Sequence, residues 1–577
     1  MSPSYDFIII GGGTAGLVVA TRLSEVPNFR VLVLEAGVNH SNDLRVKAPA
    51  LYTTLLGSEA DWGFQTEPQA LIDAWESLGN EGWNWEILRE HIHRSFTSHS
   101  VSKDTEKALG IDEWTVKDVP AKGPIFTSFP QNPSASIQEA WAATFKSKGL
   151  LTTKNPFIEA SVGSFSHLNS VDPNTKERSY TTTAYYHPVK GRDNLVVLTG
   201  ANVEKILFDE ESGQCIKAKS VRYRHDGEIQ TITATKEIIL AAGAFQSPKI
   251  LELSGIGDSE IIAKHGIEVI KHLPGVGENL QDHLVCAIAY RAVDSLDTLD
   301  ALARQEPEAI GQAIHAYETN RSGPLTSTGL DAYAYLPIMY DDPRRGQERL
   351  RNLIRENRPP ETDRAAQAMY SLASKTLLDS AAPSAAYLAF RSQSVLPVDL
   401  SWSPNSPTGP SPGKFITIAV FLSNPMSRGS VHIRSADPAD APLIDPAYLS
   451  HPVDAEVMAE HMLQVERIAA SEPLSSRFLV QPLARRDPAA DLRGDLDRAK
   501  KYIRASSMSM WHPAGACAML PSEMGGVVDS ALRVHGIRGL RVVDASIMPL
   551  VATANLQATV LGVAERAADL IKEEWQS

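Results

Sequence analysis

Three glycines near the N-terminus have the type and spacing that could hold a phosphate. Gly11, Gly13 and Gly16 follow the apolar run YDFIII and precede a segment whose apolar residues recur with helical spacing. That order predicts a strand, a tight turn and a helix. In a dinucleotide-binding unit, the first glycine makes the turn, the second lets the backbone approach a pyrophosphate, and the third packs the helix against the strand. The phosphates would lie on the free N–H groups where the helix begins.

An acidic residue stands where such a unit would bind a ribose. The run from Val31 to Leu34 predicts a second buried strand, and Glu35 follows at its carboxyl end. A carboxylate at this place holds an adenosine ribose hydroxyl and disfavours the 2′-phosphate of NADP. FAD and NAD both remain candidates at this point, and a merely flexible loop is the alternative interpretation of the glycines.

Composition restricts the class of protein. The chain has 577 residues, 43% of them apolar, and a formal net charge of −14, which predicts two or more domains and argues against a nucleic-acid partner. Its three cysteines are scattered and form neither a disulfide framework nor a metal motif. No signal peptide and no membrane-spanning run are recognisable. We therefore expect a cytoplasmic protein that acts on a small molecule, with its oligomeric state open.

Two later blocks predict elements that would complete the first sheet. Ser247 and Pro248 are predicted to open a helix that stops at Gly255. Near the C-terminus, a buried strand ends in an acid, Asp544, and a helix is predicted to run from Asn555 to the end of the chain.

Taken together, the blocks resemble the glucose–methanol–choline (GMC) family of oxidoreductases, in a fungal form. The segments that carry the resemblance are GGGTAG with Glu35, GAFQSPKILELSGIG, GVGENLQDH, RGSVHIRSADP, WHPAGACAM, and VVDASIMP with ANLQATVLGVAERAADL. The resemblance implies an α/β fold, with a discontinuous Rossmann-like FAD-binding domain and an inserted α+β substrate domain. It places the FAD-binding domain at residues 1–70, 195–290 and 507–577, and the substrate domain at 71–194 and 291–506.

The resemblance also assigns roles to individual residues. His512 falls on the family's catalytic histidine and Asn555 on its partner. An imidazole with a pKa near about 6.5 can accept an alcohol's proton at neutral pH, and Asn555 could orient the hydroxyl. A satisfied core histidine and a simple helix cap are the alternative interpretations. The implied FAD contacts are Gly11, Gly13, Thr14, Ala15, Gly16, Glu35, Val203, Asp544 and Ala545.

One family element is missing from this chain. Family members carry several dozen residues, including a GGSS motif that covers the FAD pyrophosphate, where this chain passes almost directly from Gln69 to Asp73. Buried phosphate needs many fixed donors, so the loss affects the flavin half of the site more than the adenine half. A repurposed pocket, a gene-model error and replacement by another loop remain open as explanations.

Three functions therefore compete. The first is an FAD-dependent alcohol oxidase or dehydrogenase with His512 as the base. The second is a flavin-free descendant that uses the same pocket for cyclisation, dehydration or isomerisation in fungal secondary metabolism. The third is a non-catalytic binding protein on the same fold.

Overall fold

The computed structural model describes most of the chain. The described residues are 4–55, 72–112, 114, 122–129, 135–152, 154–156, 162–211, 215–394, 409–553 and 555–576. The junction at which the family's covering segment is missing, including Gln69, therefore lies outside the described residues. Within them, every helix is too short or too polar to cross a bilayer.

The helices and strands are numbered in chain order. The chain begins with β1 (Tyr5–Ile10), α1 (Thr14–Leu23), β2 (Val31–Glu35), α2 (Leu44–Lys47), α3 (Ile72–Ser77), α4 (Trp85–Ser95) and β3 (Phe96–Ser98). It continues with α5 (Lys103–Leu109), β4 (Ile125–Thr127), α6 (Ala135–Lys146), β5 (Gly163–Phe165) and β6 (Leu195–Thr199). Next come β7 (Asn202–Glu211), β8 (Cys215–His225), β9 (Glu228–Leu240), α7 (Gly243–Leu253), β10 (Ile256–Gly257), α8 (Ser259–Lys264) and β11 (Lys271–His272). Then follow β12 (Leu284–Arg291), α9 (Asp300–Ala303), α10 (Pro307–Asn320), β13 (Leu330–Leu336), α11 (Pro343–Glu356), α12 (Arg364–Leu378) and β14 (Ala385–Phe390). The chain ends with β15 (Phe415–Leu422), β16 (Ser430–His432), β17 (Leu443–Asp445), α13 (Pro452–Ala469), α14 (Leu474–Phe478), α15 (Leu496–Ser506), β18 (Met508–Ser509), β19 (Ile537–Arg538), β20 (Leu540–Val542) and α16 (Gln557–Gln576).

The first sheet is the predicted dinucleotide-binding sheet. Strand β1 lies in its centre, parallel to β2 on one side and to β9 on the other, while β6 extends it beyond β2 and β20 pairs with β9. Four successive residues of β1, Phe7 to Ile10, are at most 2% exposed, so both faces of the sheet are covered at its centre. The carboxyl ends of these parallel strands meet at one edge, which is where α/β sheets bind ligands.

The second sheet is antiparallel and orders its strands β18-β12-β15-β14-β13-β5. Alternate residues of β12 point to opposite faces: Cys286 and Ile288 pack in a core with α13, whereas Val285 and Ala287 join another apolar cluster. That second cluster contains the rings of Phe421 and Tyr333 among others. The α/β fold class is confirmed: a parallel Rossmann-like sheet stands beside an antiparallel sheet.

The two sheets are joined next to the predicted catalytic histidine. Strand β18 pairs with the start of β12, with Ser509 opposite Leu284. The preceding residues continue the pairing, since Gln281 and Ala514 exchange two backbone hydrogen bonds of 2.9 Å. His512 therefore lies in a segment that is held by the chain entering the second sheet. The predicted domain boundaries stay a prediction.

The predicted start of α7 is wrong. The helix begins at Gly243, four residues before Ser247, and Pro248 lies inside it. Ser247 lies in the second turn of this helix, where its hydroxyl accepts the N–H of Ala242 at 3.1 Å and donates a hydrogen bond of 2.6 Å to the carboxylate of Asp544. The Ser-Pro pair is typical of a helix start, but Ser247 is placed here by its hydrogen bond to Asp544, which lies far away in the sequence.

A buried ion pair fastens β20 to β9, and its loss should be costly. Arg541 donates two hydrogen bonds, of 2.7 and 2.9 Å, to the Glu237 carboxylate, and both side chains are less than 5% exposed. Glu237→Gln removes the buried one of the two carboxylates that contact the guanidinium, the other being the half-exposed Glu574. We therefore expect a loss of about 3 kcal/mol, at the lower end for a broken buried pair. Thermal denaturation followed by circular dichroism measures it.

The control removes an exposed pair of the same sheet. Asp209 and Lys219 lie 2.5 Å apart with both side chains about half exposed, and Asp209→Asn should cost less than about 1 kcal/mol. Equal losses of melting temperature in the two variants would contradict the role given to Glu237.

Candidate active site

The three glycines of the N-terminal turn play three different parts. Gly11 has a φ of 105°, and a Cβ there would lie 2.4 Å from the carbonyl oxygen of Ala241. A Cβ on Gly16 would lie 1.9 Å from the carbonyl oxygen of Gly11, so the strand and the helix approach too closely for any side chain. A Cβ on Gly13 would meet no atom within 4 Å. Gly11 and Gly16 are therefore required by the fold, whereas the space beside Gly13 would let a ligand approach the backbone.

The start of α1 suits an anion. Gly13 is its N-cap without any side-chain cap, and its first turn carries no acidic residue. Thr14, Ala15 and Gly16 are the first three helical residues, whose N–H groups have no partner inside a helix and point towards the N-terminus. Together with the space over Gly13, this arrangement fits the pyrophosphate of a dinucleotide.

Glu35 stands at the same edge of the sheet. Its carboxylate accepts the N–H of Gly12 at 2.5 Å and that of Gly37 at 2.7 Å, so the side chain is fixed beside the glycine turn. Its backbone carbonyl accepts the N–H of Ala201 at 2.9 Å, which brings the segment leading to Val203 alongside. Carboxylate oxygens have further lone pairs, so two ribose hydroxyls can still donate to them. This arrangement is compatible with the adenosine half of an FAD site, and the contact of Glu35 with a ribose stays a prediction.

The other predicted cofactor contacts follow β20. Asp544 is buried, and its carboxylate accepts the N–H groups of Gly243 and Ser546, at 2.9 and 2.8 Å, besides the hydroxyl of Ser247. Burial raises the pKa of Asp544, an effect that these three donors partly offset. Ala545 is buried beside it and accepts the N–H of Gly515 at 3.1 Å through its carbonyl. Asp544 ties three segments together at the edge, and its contact with a cofactor stays a prediction.

His512 is buried, with 1% of its surface exposed. Its ring lies edge-on to Phe421, with the ring centres 5.8 Å apart, and its Nδ1 lies 2.8 Å from Nδ1 of His283. His283 in turn stacks on Phe421, with ring centres 5.0 Å apart. The two histidines therefore stand over the aromatic face of the second sheet.

The contact between the two histidines couples their tautomers, because only one of the two Nδ1 atoms can carry a proton. A hydrogen bond between two Nδ1 atoms requires one proton, which one ring donates and the other accepts. Burial and the nearby His512 ring hold the pKa of His283 well below its usual range, so His283 is neutral. For His512 to accept a proton at Nε2, it must donate its Nδ1–H to His283.

Asn555 borders the same face of the sheet. It is 4% exposed and lies two residues before α16, in whose described first turn no acidic residue occurs. The Asn555 amide hydrogen-bonds to the hydroxyl of Tyr333, opposing the effect of burial, which raises the pKa of that phenol. Among the described residues, no group donates to Oδ1 of Asn555. The backbone of Ala552, three residues earlier, contacts His283 and acts on its pKa. That Asn555 and the histidine pair form one site stays a prediction.

Sequence reasoning missed three members of this site. It recognised GVGENLQDH as a family segment without giving a role to Asp282 or His283, although a consecutive acid and histidine in a glycine-rich loop was the signal available. Nothing in the sequence singles out Tyr333, which reaches Asn555 only through the pairing of the second sheet.

Comparison with known proteins agrees with this geometry. The N-terminal family model of the GMC oxidoreductases matches residues 5–285, and the C-terminal model matches residues 425–564. A dehydrogenase of Monascus purpureus, mpl7, is 33% identical over 631 aligned positions, which cover 99% of this chain and 96% of the relative. The GMC oxidoreductase family protein Mala s 12 of Malassezia sympodialis is 30% identical, covering 98% of this chain and 92% of the relative. Both alignments are longer than the 577 residues of this chain, so these relatives carry residues without a counterpart in it.

Solved structures show the same fold. An FAD-dependent oxidoreductase from Chaetomium thermophilum superposes with a TM-score of 0.84 at 27% identity, covering 99% of this chain and all of that one. A fungal aryl-alcohol oxidase gives a TM-score of 0.79 at 26% identity, with both chains fully covered. The expected family, enzyme class and cofactor, FAD, are confirmed. Because the two family models match most of the chain and relatives are at least 30% identical along nearly all of it, this chain belongs to the GMC oxidoreductase family.

Proposed function

We propose that this protein oxidises an alcohol, with His512 as the base that removes the hydroxyl proton. FAD, when bound, supplies the acceptor for the hydride that leaves the alcohol carbon. The observation that supports the proposal best is the buried His512 ring, whose Nδ1 is engaged by a neutral His283 at 2.8 Å. That contact accommodates the tautomer that the proposal requires, in which His512 donates its Nδ1–H to His283 and accepts a proton at Nε2.

The neighbouring groups assist the proton transfer. Proton removal leaves His512 positively charged, and the lone pair of His283 Nδ1 stabilises that charge without adding a second one. Asn555 orients the substrate oxygen by donating an amide N–H to it, since the single hydroxyl proton goes to His512 and the contact with Tyr333 needs only one of the two N–H groups. The N-terminal end of α16 favours negative charge beside Asn555. Each group acts on charge that develops only as the alcohol reacts.

The substrate we propose is a medium-sized, largely apolar or aryl alcohol. The sheet face beneath the histidine pair carries Phe421, Tyr333 and Phe165 in one cluster, and the rings of Phe165 and Tyr333 lie 5.9 Å apart. Aromatic faces bind flat apolar rings better than small polar molecules. The similar fold of an aryl-alcohol oxidase points in the same direction.

A second candidate function follows from the missing covering segment. If the flavin half of the site is not closed, His512 and Asn555 can still move a proton within a substrate, as in a cyclisation, dehydration or isomerisation. This candidate predicts turnover without any change in oxidation state.

His512→Ala tests the base directly. We expect the rate at which an aryl alcohol reduces the bound flavin without oxygen to fall by about 10²–10⁴-fold, because a positioned base contributes that much. Stopped-flow absorbance of the flavin measures the rate, and FAD content measured after denaturation shows whether the site remains intact.

The matched control is His535→Gln. His535 bonds to the carbonyl of Leu520 and lies apart from the histidine pair, so its loss should leave the rate within about twofold. An unchanged rate in His512→Ala would refute the proposed base.

Gly13→Ala tests whether the glycine turn before α1 holds the pyrophosphate of FAD. The new methyl group meets no protein atom, and Gly13 has a φ of −78°, which any residue adopts. We therefore expect an unchanged melting temperature and at least about tenfold weaker FAD binding, or about 1.4 kcal/mol, because the backbone can no longer approach the pyrophosphate.

Gly191→Ala is the control for that experiment. It also has open space around its Cβ but lies on the exposed surface away from the turn. Equal FAD affinity in Gly13→Ala and Gly191→Ala would show that the turn holds no phosphate.

A further inference from the structure

The turn that carries His512 is held in an unfavourable conformation. Trp511 has a φ of 59°, in the left-handed region that a bulky side chain rarely adopts. Its N–H donates 2.8 Å to Oγ of Ser509, which in turn donates 2.5 Å to the carboxylate of Asp282. Backbone in this region persists only where its surroundings hold it.

Asp282 is the centre of that support. Its Oδ1 accepts the N–H of His512 itself at 2.8 Å, while its Oδ2 accepts the hydroxyls of Ser509 and Tyr448. The side chain is 8% exposed, so water competes little for these bonds. One carboxylate thus fixes the first and last residues of the turn Ser509–His512 and anchors both to the loop that enters β12.

We propose that Asp282 is a positioning residue for the reaction, which sets the place of the His512 imidazole by holding the main chain of its turn. The proposal rests on the proposed function of His512 as the base. It assigns complementary tasks to two consecutive residues: Asp282 holds the backbone of His512, and His283 holds its ring. Rotation about the Cα–Cβ bond and displacement of the Cα are then both restricted.

The burial of this carboxylate argues that it does more than stabilise the fold. Burial raises the pKa of Asp282 to about 6, although four hydrogen-bond donors act in the opposite direction. A folded-state pKa above the ordinary value of 3.8 means that the group favours the folded state below pH 4 and loses that contribution as the pH rises through 6. At neutral pH the ionised carboxylate therefore reduces stability. The groups that face it are Tyr448, Ser509, the two histidines and, across a small cavity, Asp454.

Asp454 provides a matched control. It is a second buried carboxylate lining the same cavity, and burial raises its pKa as well. Its oxygens accept the N–H groups of Met426 and Ser427, at 2.7 and 2.8 Å, in the segment that follows β15. Its hydrogen bonds hold that segment and not the His512 turn.

The test compares Asp282→Ala with Asp454→Ala in the FAD-loaded enzyme, using an aryl alcohol as substrate. We expect Asp282→Ala to lower kcat by roughly 10- to 100-fold, as misplacement of a catalytic group does, with FAD content and KM little changed. Asp282→Asn keeps an oxygen for the His512 N–H and should restore kcat to within about threefold of the wild type. Asp454→Ala should lower the melting temperature and leave kcat unchanged.

The decisive measurement is the double variant. If Asp282 acts through His512, adding Asp282→Ala to His512→Ala lowers kcat no further, whereas a general loss of structure multiplies the two effects. Multiplied effects, an equal loss of kcat in Asp454→Ala, or full kcat in Asp282→Ala would each overturn the positioning role while leaving His512 as the base. Full activity in His512→Ala would instead overturn the proposed function, and the positioning role with it. Should Asp282→Ala fail to fold, Ser509→Ala replaces it, with a several-fold loss of kcat that must likewise vanish in His512→Ala.

Discussion

The site depends on one short antiparallel pairing between two segments that are far apart in sequence. Gln281 and Ala514 exchange backbone hydrogen bonds, and Met510 donates to the carbonyl of His283 at 2.8 Å. One of these segments runs on into the antiparallel sheet, while Gly515 and Cys517 bond to residues 545 and 546 beside the parallel sheet. His512 lies in the middle of this layer, so its position is determined by both sheets at once. A shift of either sheet would move the imidazole relative to the glycine turn.

Burial fixes the positions of the groups in this layer, but it also lowers the free energy of unfolding. Asp282, His283 and Asp544 are buried. Burial raises the pKa of the two carboxylic acids and lowers the pKa of the histidine, so it favours the neutral form of each group. Hydrogen bonds from backbone N–H groups and hydroxyls offset much of the cost. The remainder is the kind of destabilisation that enzymes accept where a titratable group must stay in one place.

Local sequence was sufficient for the strand, turn and helix at the N-terminus. The apolar run before Gly11 predicted β1 to the residue, and the glycine spacing predicted the close approaches at Gly11 and Gly16. The approach of a pyrophosphate to Gly13 stays a prediction. The start of α7 was mispredicted because Ser247 has its partner at Asp544, almost three hundred residues away. His283 and Asp282 were missed for the same reason, since their hydrogen-bond partners, Tyr448, Ser509 and His512, are also distant in the sequence. His512 and Asn555 came from the family resemblance, and only the pairing of strands shows why they border one aromatic face.

Because the covering segment is missing, the central question is whether FAD occupies the site at the glycine turn Gly11–Gly16. The glycine turn and Glu35 are arranged so that they can receive the adenosine half of FAD, and the family and its solved neighbours use FAD, so we expect the native protein to bind it. The most direct test is the visible absorption spectrum of the purified protein, with chromatography of the material that denaturation releases. We predict a yellow protein with close to one FAD per chain, either as purified or after added FAD. A colourless protein that takes up no added FAD would contradict that prediction and leave the proton-transfer reaction without a redox partner.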